Sequence, residues 1–278
     1  EFEGEFDVEW LKKAKSSVKV TMPSGAHIKE ADFQKIMVAT RSLSLESNSQ
    51  ITLDLSETTA WSNTIKGLNN DPKEYVGFCG GSNRDNGIKN VSEFRLPQGI
   101  TQINNRAFSY SDYTKIVVPA SLTQIAGSPS NGCDKMVWEV APGNKSFKSD
   151  DKGALYDFAM TTLKVLNGGS GSAYTILDGT TTIREWALYE NSVIESLTIP
   201  ASVTNMSADC ISGTPKLTTI TCLGTTPAAI KANTGANRVG PKDTMKTLYV
   251  PKGCVDAYTT AWKILLGEGN WEVKEIVK

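Results

Sequence analysis

The 278-residue chain has very few of the side chains that metal sites and catalytic centres use most often. It contains one histidine, His27, and five cysteines, none of which stands in a C-x-x-C pair. Histidine and paired cysteine are the usual zinc ligands, so we expect no metal ion and no cofactor. Five cysteines cannot all pair with one another, and we interpret them as small buried hydrophobes. A bridge between Cys210 and Cys222 stays open at this point.

The chain also lacks an excess of charge and a long apolar run. Lys plus Arg number 29 and Asp plus Glu number 30, which argues against nucleic acid as a partner because binding to its phosphates needs a basic face. No apolar run approaches the ~20 residues that cross a bilayer, so we expect no membrane span in this chain. The first residues, EFEGEFDVEW, contain no signal peptide and look like a trimmed start. A lipid anchor on a removed N-terminus is therefore compatible with the sequence.

Short strands with alternating apolar residues recur along the chain. The phrase IVVPASLTQI at 116–125 returns as LTIPASVTNM at 197–206. The last inward apolar residues of the strands are separated by 22, 22, 36, 23, 23 and 28 residues, and they are Leu96, Val118, Val140, Ile176, Ile199, Cys222 and Val250. A unit of 22 or 23 residues buries too little apolar surface to offset its ordering entropy, whereas stacked units share a core. The period therefore predicts a solenoid.

Each unit has a second apolar step after its strand. A small residue and a larger apolar one stand together at Ala107-Phe108, Ala187-Leu188 and Cys210-Ile211. This part does not alternate with period 2, so we predict an irregular or 3-10 return arm. At 126–132, Pro129-Ser130 replaces the usual pair, and we expect that arm to be misshapen.

The pattern I-x-x-A-F followed by L-x-x-I-x-I-P-x-S-V-T-x-I resembles the BspA-like (Treponema-type) leucine-rich repeats of bacterial surface proteins. TPAAI at 226–230 and TLYVPKGCVDAY at 247–258 are similar to the closing segment of that family. The resemblance covers about residues 91–278. It implies an α/β solenoid: a right-handed leucine-rich-repeat stack with a parallel β-sheet of short strands, irregular or 3-10 return arms, and a helical cap at each end.

The same comparison of pattern and period gives a domain organisation. We predict an N-terminal helical cap with a degenerate first coil at 1–50, the solenoid at 51–250 and a C-terminal helical cap at 251–278. Within the solenoid we expect a long loop at 60–90, and the family resemblance of NKSFKSDDKGALYD at 144–157 implies a longer, hairpin-bearing repeat at 141–178. Helical spacing of apolar residues predicts helices at 6–16, 29–42 and 255–266.

Two short motifs could carry chemistry. GFCGG at 77–81 matches G-x-C-x-G, a thiol version of the nucleophile elbow, which needs a strand before it, a helix after it and a base within reach. The helix-breaking NRDNG follows, and His27 lies far away in sequence, so we interpret the motif as a glycine-rich turn. A hydrolase that uses Cys79 stays as the less favoured alternative. SDDKG at 149–153 lacks the alternating ligands of a calcium loop and is interpreted as a solvated turn.

The outward residues between the inward strand positions form the candidate binding surface. Parallel strands in register place them in a row, and they are Arg95, Val117, Glu139, Thr175, Thr198, Thr221 and Tyr249. The row also reads as ordinary β-forming residues. Trp61 and Trp186 are candidate aromatics for stacking on a sugar or a peptide.

These observations predict a monomeric, non-catalytic, extracellular or outer-surface protein, secreted or lipid-anchored. The resemblance to the BspA-like repeats implies that the solenoid sheet binds a protein ligand in adhesion. The alternative that the residues leave open is a carbohydrate-binding accessory protein of a glycan-uptake system.

Overall fold

The computed structural model describes residues 8–41, 43, 49–60, 62–65, 87–207, 209–231, 239–267 and 270–277. The chain divides into two compact units, Glu1–Phe147 and Lys148–Lys278. In each unit short parallel strands stack as a β-solenoid, and the chain makes about seven turns in all. The predicted solenoid with a parallel sheet of short strands is thus confirmed.

The first unit contains a five-stranded parallel sheet, which we call the first front sheet. Its strands, in spatial order, are Val18–Thr21, Ile51–Asp54, Val91–Arg95, Lys115–Val118 and Val137–Val140. The return arms form a three-stranded sheet, the first return sheet, made of Thr64–Ile65, Gln102–Ile103 and Gln124–Ile125. A further parallel pair joins His27–Ile28 to Thr59–Ala60.

The second unit repeats this arrangement with different strands. Its second front sheet consists of Ala173–Thr175, Ser196–Ile199, Thr219–Cys222, Lys246–Val250 and Trp271–Glu275, all parallel. The second return sheet contains Phe147–Ser149, Leu155–Asp157, Thr162–Val165, Thr182–Ile183, Asn205–Met206 and Ala229–Ile230. Within it, Leu155–Asp157 and Thr162–Val165 form an antiparallel hairpin, which lies inside the interval of 36 residues.

The seven strands read from the sequence fall into two front sheets, so the expectation of one continuous row was wrong. The three strands that end near Leu96, Val118 and Val140 belong to the first sheet, and the other four belong to the second. The cause lies in the long interval between the third and fourth strands. There the chain builds the antiparallel hairpin, which pairs with the second return sheet.

The alternation of buried inward residues with outward residues explains why these segments are strands. Inward residues of neighbouring strands stand opposite one another, as Leu197, Ile220 and Leu248 do, and each is at most 1 % exposed. The residue after the strand ends the pairing in the same way in three coils. The carbonyl groups of Pro119, Pro200 and Pro251 accept hydrogen bonds from the N–H groups of Leu122 at 3.2 Å, Val203 at 3.2 Å and Cys254 at 3.0 Å. Proline has no N–H to donate to a sheet, so the front strand stops there.

Outside the hairpin-bearing repeat the return arms consist of two-residue strands and turns, and 3-10 arms are not confirmed. One 3-10 helix, Gly168–Ser170, occurs in the described part of the second unit. The turn at the Ala-Phe step uses a left-handed residue on each side, with φ of 60° and 57° at Arg106 and Tyr110, and 58° at both Trp186 and Glu190. Such φ values are unfavourable for residues with a side chain.

The arm at 126–132 keeps one of the two left-handed positions. Gly132 has φ of 64°, and a Cβ at this position would lie 2.6 Å from Cδ1 of the Tyr110 ring. Glycine is therefore required by both the backbone angle and the space. In the coil before, the Phe108 N–H donates to the Pro129 carbonyl at 2.7 Å, so Pro129-Ser130 still stacks in place of the usual pair.

The helices lie near the two ends of the chain. They are Glu9–Lys12, Glu30–Arg41, Val255–Ala261 and Lys263–Gly267. The first is shorter than predicted and the last predicted helix is broken at Trp262, while Tyr258, Trp262 and Leu265 are buried as their spacing predicts. None of the helices in the described residues has the length and apolar character needed to cross a membrane.

Two hydrogen bonds fix the broken C-terminal helix to the last coils. The Tyr258 hydroxyl donates to the Gly224 carbonyl at 2.8 Å, and the Trp262 indole N–H donates to the Ala228 carbonyl at 3.0 Å. The two rings pack edge to face with their centres 5.3 Å apart.

Candidate functional site

The outward side of the first front sheet carries charges of both signs. We call this surface the charged front face; its members are Lys19, Asp54, Glu93, Arg95, Lys115 and Glu139. The shortest ion pairs join Arg95 to Glu93 at 2.6 Å and Lys19 to Asp54 at 2.9 Å. Lys115 lies between two carboxylates, 3.7 Å from Glu93 and 3.1 Å from Glu139. The charges therefore alternate and largely neutralise one another.

Asp54 is the most enclosed carboxylate of the charged front face. Its Oδ1 accepts hydrogen bonds from the Ser56 hydroxyl at 2.6 Å and from the Ser56 N–H at 3.2 Å. Burial raises its pKa, but the Ser56 and Lys19 contacts outweigh burial and hold the pKa of Asp54 below its usual range. Asp54 therefore stays ionised and is already occupied by partners of this chain.

Three of the predicted binding residues lie on the charged front face or beside it. Arg95, Val117 and Glu139 stand opposite one another in register. Val117 is only 6 % exposed, which contradicts its choice as a contact residue. The neighbouring strands place the long side chains of Arg95 and Glu139 on either side of it, and these cover a β-branched residue.

The outward side of the second front sheet is different and carries mainly hydroxyl groups. We call it the hydroxyl front face, and it consists of two rows: Thr175, Thr198, Thr221 and Tyr249, beside Ser196, Thr219 and Thr247. All seven side chains are half-buried or exposed. In the part of the chain that the structure describes, no hydrogen bond or ion pair engages these hydroxyls, because the sheet uses only their backbone groups.

Sequence reasoning found one row of the hydroxyl front face and missed the other. Thr175, Thr198, Thr221 and Tyr249 were predicted to lie in a row, and the register places them so. The second row was missed because only one outward position per strand was followed. The signal was the alternation itself, since Thr219-Ile220-Thr221 shows two outward threonines around one inward residue.

Of the two aromatic residues predicted as ligand contacts, Trp186 lies within the described residues and Trp61 does not. Trp186 is half-buried in the turn after Arg184, with φ of 58°. Its indole N–H has no hydrogen-bond partner among the described residues. Trp61 lies outside the described residues, and so does Cys79 with its glycine-rich motif.

The remaining chemistry-bearing residues have structural surroundings. His27 is exposed, with Nδ1 3.1 Å from the Thr59 hydroxyl. Cys210 and Cys222 are free thiols, so the bridge between them is absent, and burial raises the pKa of each to about 12. A thiol with such a pKa is a poor nucleophile at neutral pH. No group of three His, Cys, Asp or Glu side chains suited to a metal ion occurs in the described ranges.

The SDDKG turn is more ordered than a solvated turn. Asp150 Oδ1 accepts the backbone N–H groups of Lys152 at 3.0 Å and Ala154 at 2.8 Å. Its Oδ2 accepts the hydroxyl of the buried Tyr174, which also lies 2.8 Å from the hydroxyl of Tyr156. Asp150 therefore holds the hairpin in place through its own chain.

Comparison with known proteins shows what the chain is similar to. The family described as "BspA type Leucine rich repeat region" matches residues 85–137 and 166–233, with six copies. No curated protein matches the chain significantly.

Among solved structures, a leucine-rich repeat protein from Eubacterium ventriosum is 14 % identical, with a TM-score of 0.42, over 92 % of this chain and 72 % of that one. A leucine rich cell surface protein from Faecalibacterium prausnitzii is 13 % identical, with a TM-score of 0.46, over 95 % of this chain and 89 % of the other. The pneumococcal vaccine antigen PcpA is 11 % identical, with a TM-score of 0.34, over 94 % and 90 %.

Proposed function

We propose that the chain is a non-catalytic protein-binding module that works at a bacterial cell surface, because its residues 85–137 and 166–233 match the BspA-type leucine-rich repeat family. Repeat solenoids present extended, regular faces, which they use to bind partners. The module acts by recognition, and it carries out adhesion to a protein ligand through the hydroxyl front face. It reaches the surface as a secreted or lipid-anchored chain and works as a monomer.

The observation that carries this proposal is the set of unengaged hydroxyls on the second front sheet. Two rows of short side chains follow the stacked coils at about 4.8 Å per coil. Hydroxyls can donate and accept, and short side chains lose little rotamer entropy when a partner covers them. Tyr249 adds one large amphipathic side chain, a type enriched at interface centres.

The charged front face supports this role less well. A partner that covered it would remove water from ions such as Arg95 and Glu93, which are already paired at 2.6 Å. Their desolvation would cost free energy without adding a new ion pair. We therefore assign ligand binding to the hydroxyl front face, and to Thr198, Thr221 and Tyr249 at its centre.

The proposal also gives the helical segments near the two ends a role, which is to cap the solenoid. Solenoids need terminal elements that cover their last apolar layers. Val255–Ala261 contributes the buried Tyr258, and Glu30–Arg41 contributes Phe33, Ile36 and Met37, all at most 4 % exposed. We assign these two helices to capping.

A binding experiment with a matched control tests the assignment. The wild-type chain, the variant Thr198→Lys/Thr221→Lys and the variant Thr181→Lys/Thr204→Lys would be applied to purified extracellular matrix proteins in an array. The two variants add the same charge to exposed or half-buried threonines on adjacent coils of the second unit. We expect the first variant to lose binding at least about tenfold and the second to keep it.

Two outcomes would overturn the assignment. Equal loss in both variants would show that added charge, and not the hydroxyl front face, controls binding. Absence of binding by the wild-type chain to every protein in the array, together with a measured catalytic turnover, would remove the adhesion function.

A further inference from the structure

The outward side of the second return sheet carries a row of cations. The residues that follow the inward apolar positions are Lys164, Arg184, Ser207 and Lys231; three of these four are cations, and we call this set the cationic row. Backbone hydrogen bonds stack the row coil by coil: the Arg184 N–H donates to Leu163, Ser207 to Ile183, and Lys231 to Met206, each at 3.0 Å. Neighbouring members are therefore about one strand spacing, ~4.8 Å, apart.

Lys164 and Arg184 are like charges held side by side in a partly enclosed place. Both are half-buried. Burial, and then the charge of Arg184, lowers the pKa of Lys164, and burial lowers the pKa of Arg184 against the opposing effect of Glu185. Two adjacent cations that lose water are destabilising unless a negative charge compensates them.

The nearest acid of this chain is only partly available to Lys164. Asp157 lies close enough to raise the pKa of Lys164, but its carboxylate already has partners. Its Oδ1 accepts the N–H groups of Thr161 at 2.8 Å and Thr162 at 3.0 Å, and its Oδ2 accepts the Thr161 hydroxyl at 3.0 Å. Lys164 itself forms no hydrogen bond or ion pair within the described residues.

A second row of neutral polar side chains runs beside the cationic row. It lies two positions earlier on the same outward side and consists of Thr162, Thr182 and Asn205, which stand opposite one another in register. Trp186, with its unpartnered indole N–H, follows Arg184 by two residues. The surface thus offers cations together with hydroxyl and amide groups, and Trp186 lies in the turn that follows it.

We propose that this surface of the second return sheet binds an acidic polysaccharide. The cationic row takes the carboxylates of the polymer, and the row of Thr162, Thr182 and Asn205 takes its hydroxyls. An acidic polypeptide would bring carboxylates to the cations but only backbone amide groups, and no hydroxyls, to the neutral row. A polymer with both hydroxyls and regularly spaced acids matches both rows, and its carboxylates compensate the charge of the half-buried Lys164.

The proposal does not depend on the protein-binding role of the hydroxyl front face, because it uses different strands and different residues. It assigns the chain a second ligand of another chemical class. A single chain would then hold an acidic glycan on its return side and a protein on its front side.

Binding of polygalacturonate by calorimetry at low salt tests the proposal, with neutral dextran and poly-L-glutamate as comparison polymers. The variant Lys164→Gln/Arg184→Gln should bind polygalacturonate about tenfold more weakly, since it removes both half-buried cations. The exposed Lys231→Gln should lose about threefold. Lys216→Gln/Lys252→Gln removes two exposed cations of the same unit and should bind like the wild-type chain.

A second readout follows the Lys164 amine directly. Its lowered pKa should make it react faster with an acylating reagent near pH 8 than the exposed Lys216 does, and polygalacturonate should protect it. The protection can be read by mass spectrometry of the labelled peptide, even if the double variant does not fold.

Three results would overturn the proposal. The first is no binding of polygalacturonate by the wild-type chain together with no protection of Lys164. The second is equal loss in the double variant and in its exposed-lysine control, which would mean a non-specific charge effect. The third is binding of poly-L-glutamate as tightly as polygalacturonate, which would mean that the neutral row recognises nothing.

Discussion

The two front sheets share one backbone plan and differ in their outward side chains. Both are five-stranded and parallel, and the central strands of both bury their inward apolar residues, such as Ile116 and Ile220 at 0 % exposed. The first sheet fills its outward positions with ion pairs such as Lys115–Glu139 at 3.1 Å, and the second fills them with hydroxyls such as those of Thr198 and Thr221. The inward positions therefore determine the fold, while the outward positions are free to carry different surfaces.

The two front faces also differ in how their side chains are hydrated. On the charged front face, side chains already contact one another, so little is gained when a partner replaces the solvent. On the hydroxyl front face, water is the remaining partner of the side chains in the described part of the chain, and a ligand can replace it. We expect substitutions at matched positions to show which effects on stability the two sheets share and which differ between them.

Truncation of a buried inward side chain should cause the largest loss of stability, and the loss should be equal in the two sheets. Ile116→Ala in the first and Ile220→Ala in the second each remove a side chain that is 0 % exposed between two neighbouring strands. Each should lower the free energy of unfolding of its unit by about 3 to 4 kcal/mol, through lost burial and a residual cavity. Urea unfolding followed by circular dichroism, with hydrogen exchange to locate the unit, measures both. A difference above about 2 kcal/mol between them would contradict the shared plan.

A charge reversal should separate the two sheets. Lys115→Glu places a third carboxylate between Glu93 and Glu139 and should lower the stability of the first unit by about 1 to 2 kcal/mol. Thr219→Glu, whose neighbours in register are Ser196 and Thr247, should change the stability of the second unit by less than about 0.5 kcal/mol. The same urea titrations apply, and similar losses in both would show that the ion pairs contribute nothing.

Acid should weaken the first sheet through Asp54. Its pKa is lowered by folding, so it contributes stability above the unfolded pKa near ~3.9, and that contribution is lost as pH falls through the folded pKa. We expect Asp54→Asn to cost about 1 kcal/mol at pH 7, with the gap to the wild-type chain closing below about pH 4. Unfolding curves at pH 7, 5, 4 and 3 measure the gap. A gap that stays constant over this range would rule out the ionised carboxylate as its cause.

Added salt should have the smallest effect on the stability of the two sheets. Raising the ionic strength to about 1 M screens the half-exposed pairs of the charged front face and should weaken the first unit by a few tenths of a kcal/mol. Among the described residues, the second front sheet carries one outward ion pair, Glu272–Lys274 at 2.9 Å, so this sheet should respond less. Hydrogen exchange in Lys115–Val118 and Thr219–Cys222, compared with and without salt, gives the two responses side by side.

Much of the fold could be predicted because the apolar period is local. The anchors Leu96, Val118, Ile199, Cys222 and Val250 are all buried in or directly after a front strand, as the spacing predicted. The division into two front sheets could not be predicted in this way. It depends on which strand pairs with which across the interval of 36 residues, and strand pairing across such a distance leaves no mark on the alternation within either strand.

The candidate site was predicted less completely, because exposure depends on neighbours from other coils. Val117 has the same outward position as Thr198, yet it is buried between two long charged side chains. The cationic row was missed for a related reason. Lys164, Arg184 and Lys231 are 20 or more residues apart in the chain and become a row only when the return strands are in register.

The strand Trp271–Glu275 lies at one edge of the second front sheet, where open backbone groups invite another chain to add on. Its five residues include Glu272, Lys274 and Glu275, and a charged rim of this kind discourages such growth. Without that strand Lys246–Val250, whose five residues KTLYV carry a single charge, would become the edge. A variant that lacks Trp271–Glu275 is therefore expected to associate through this exposed strand.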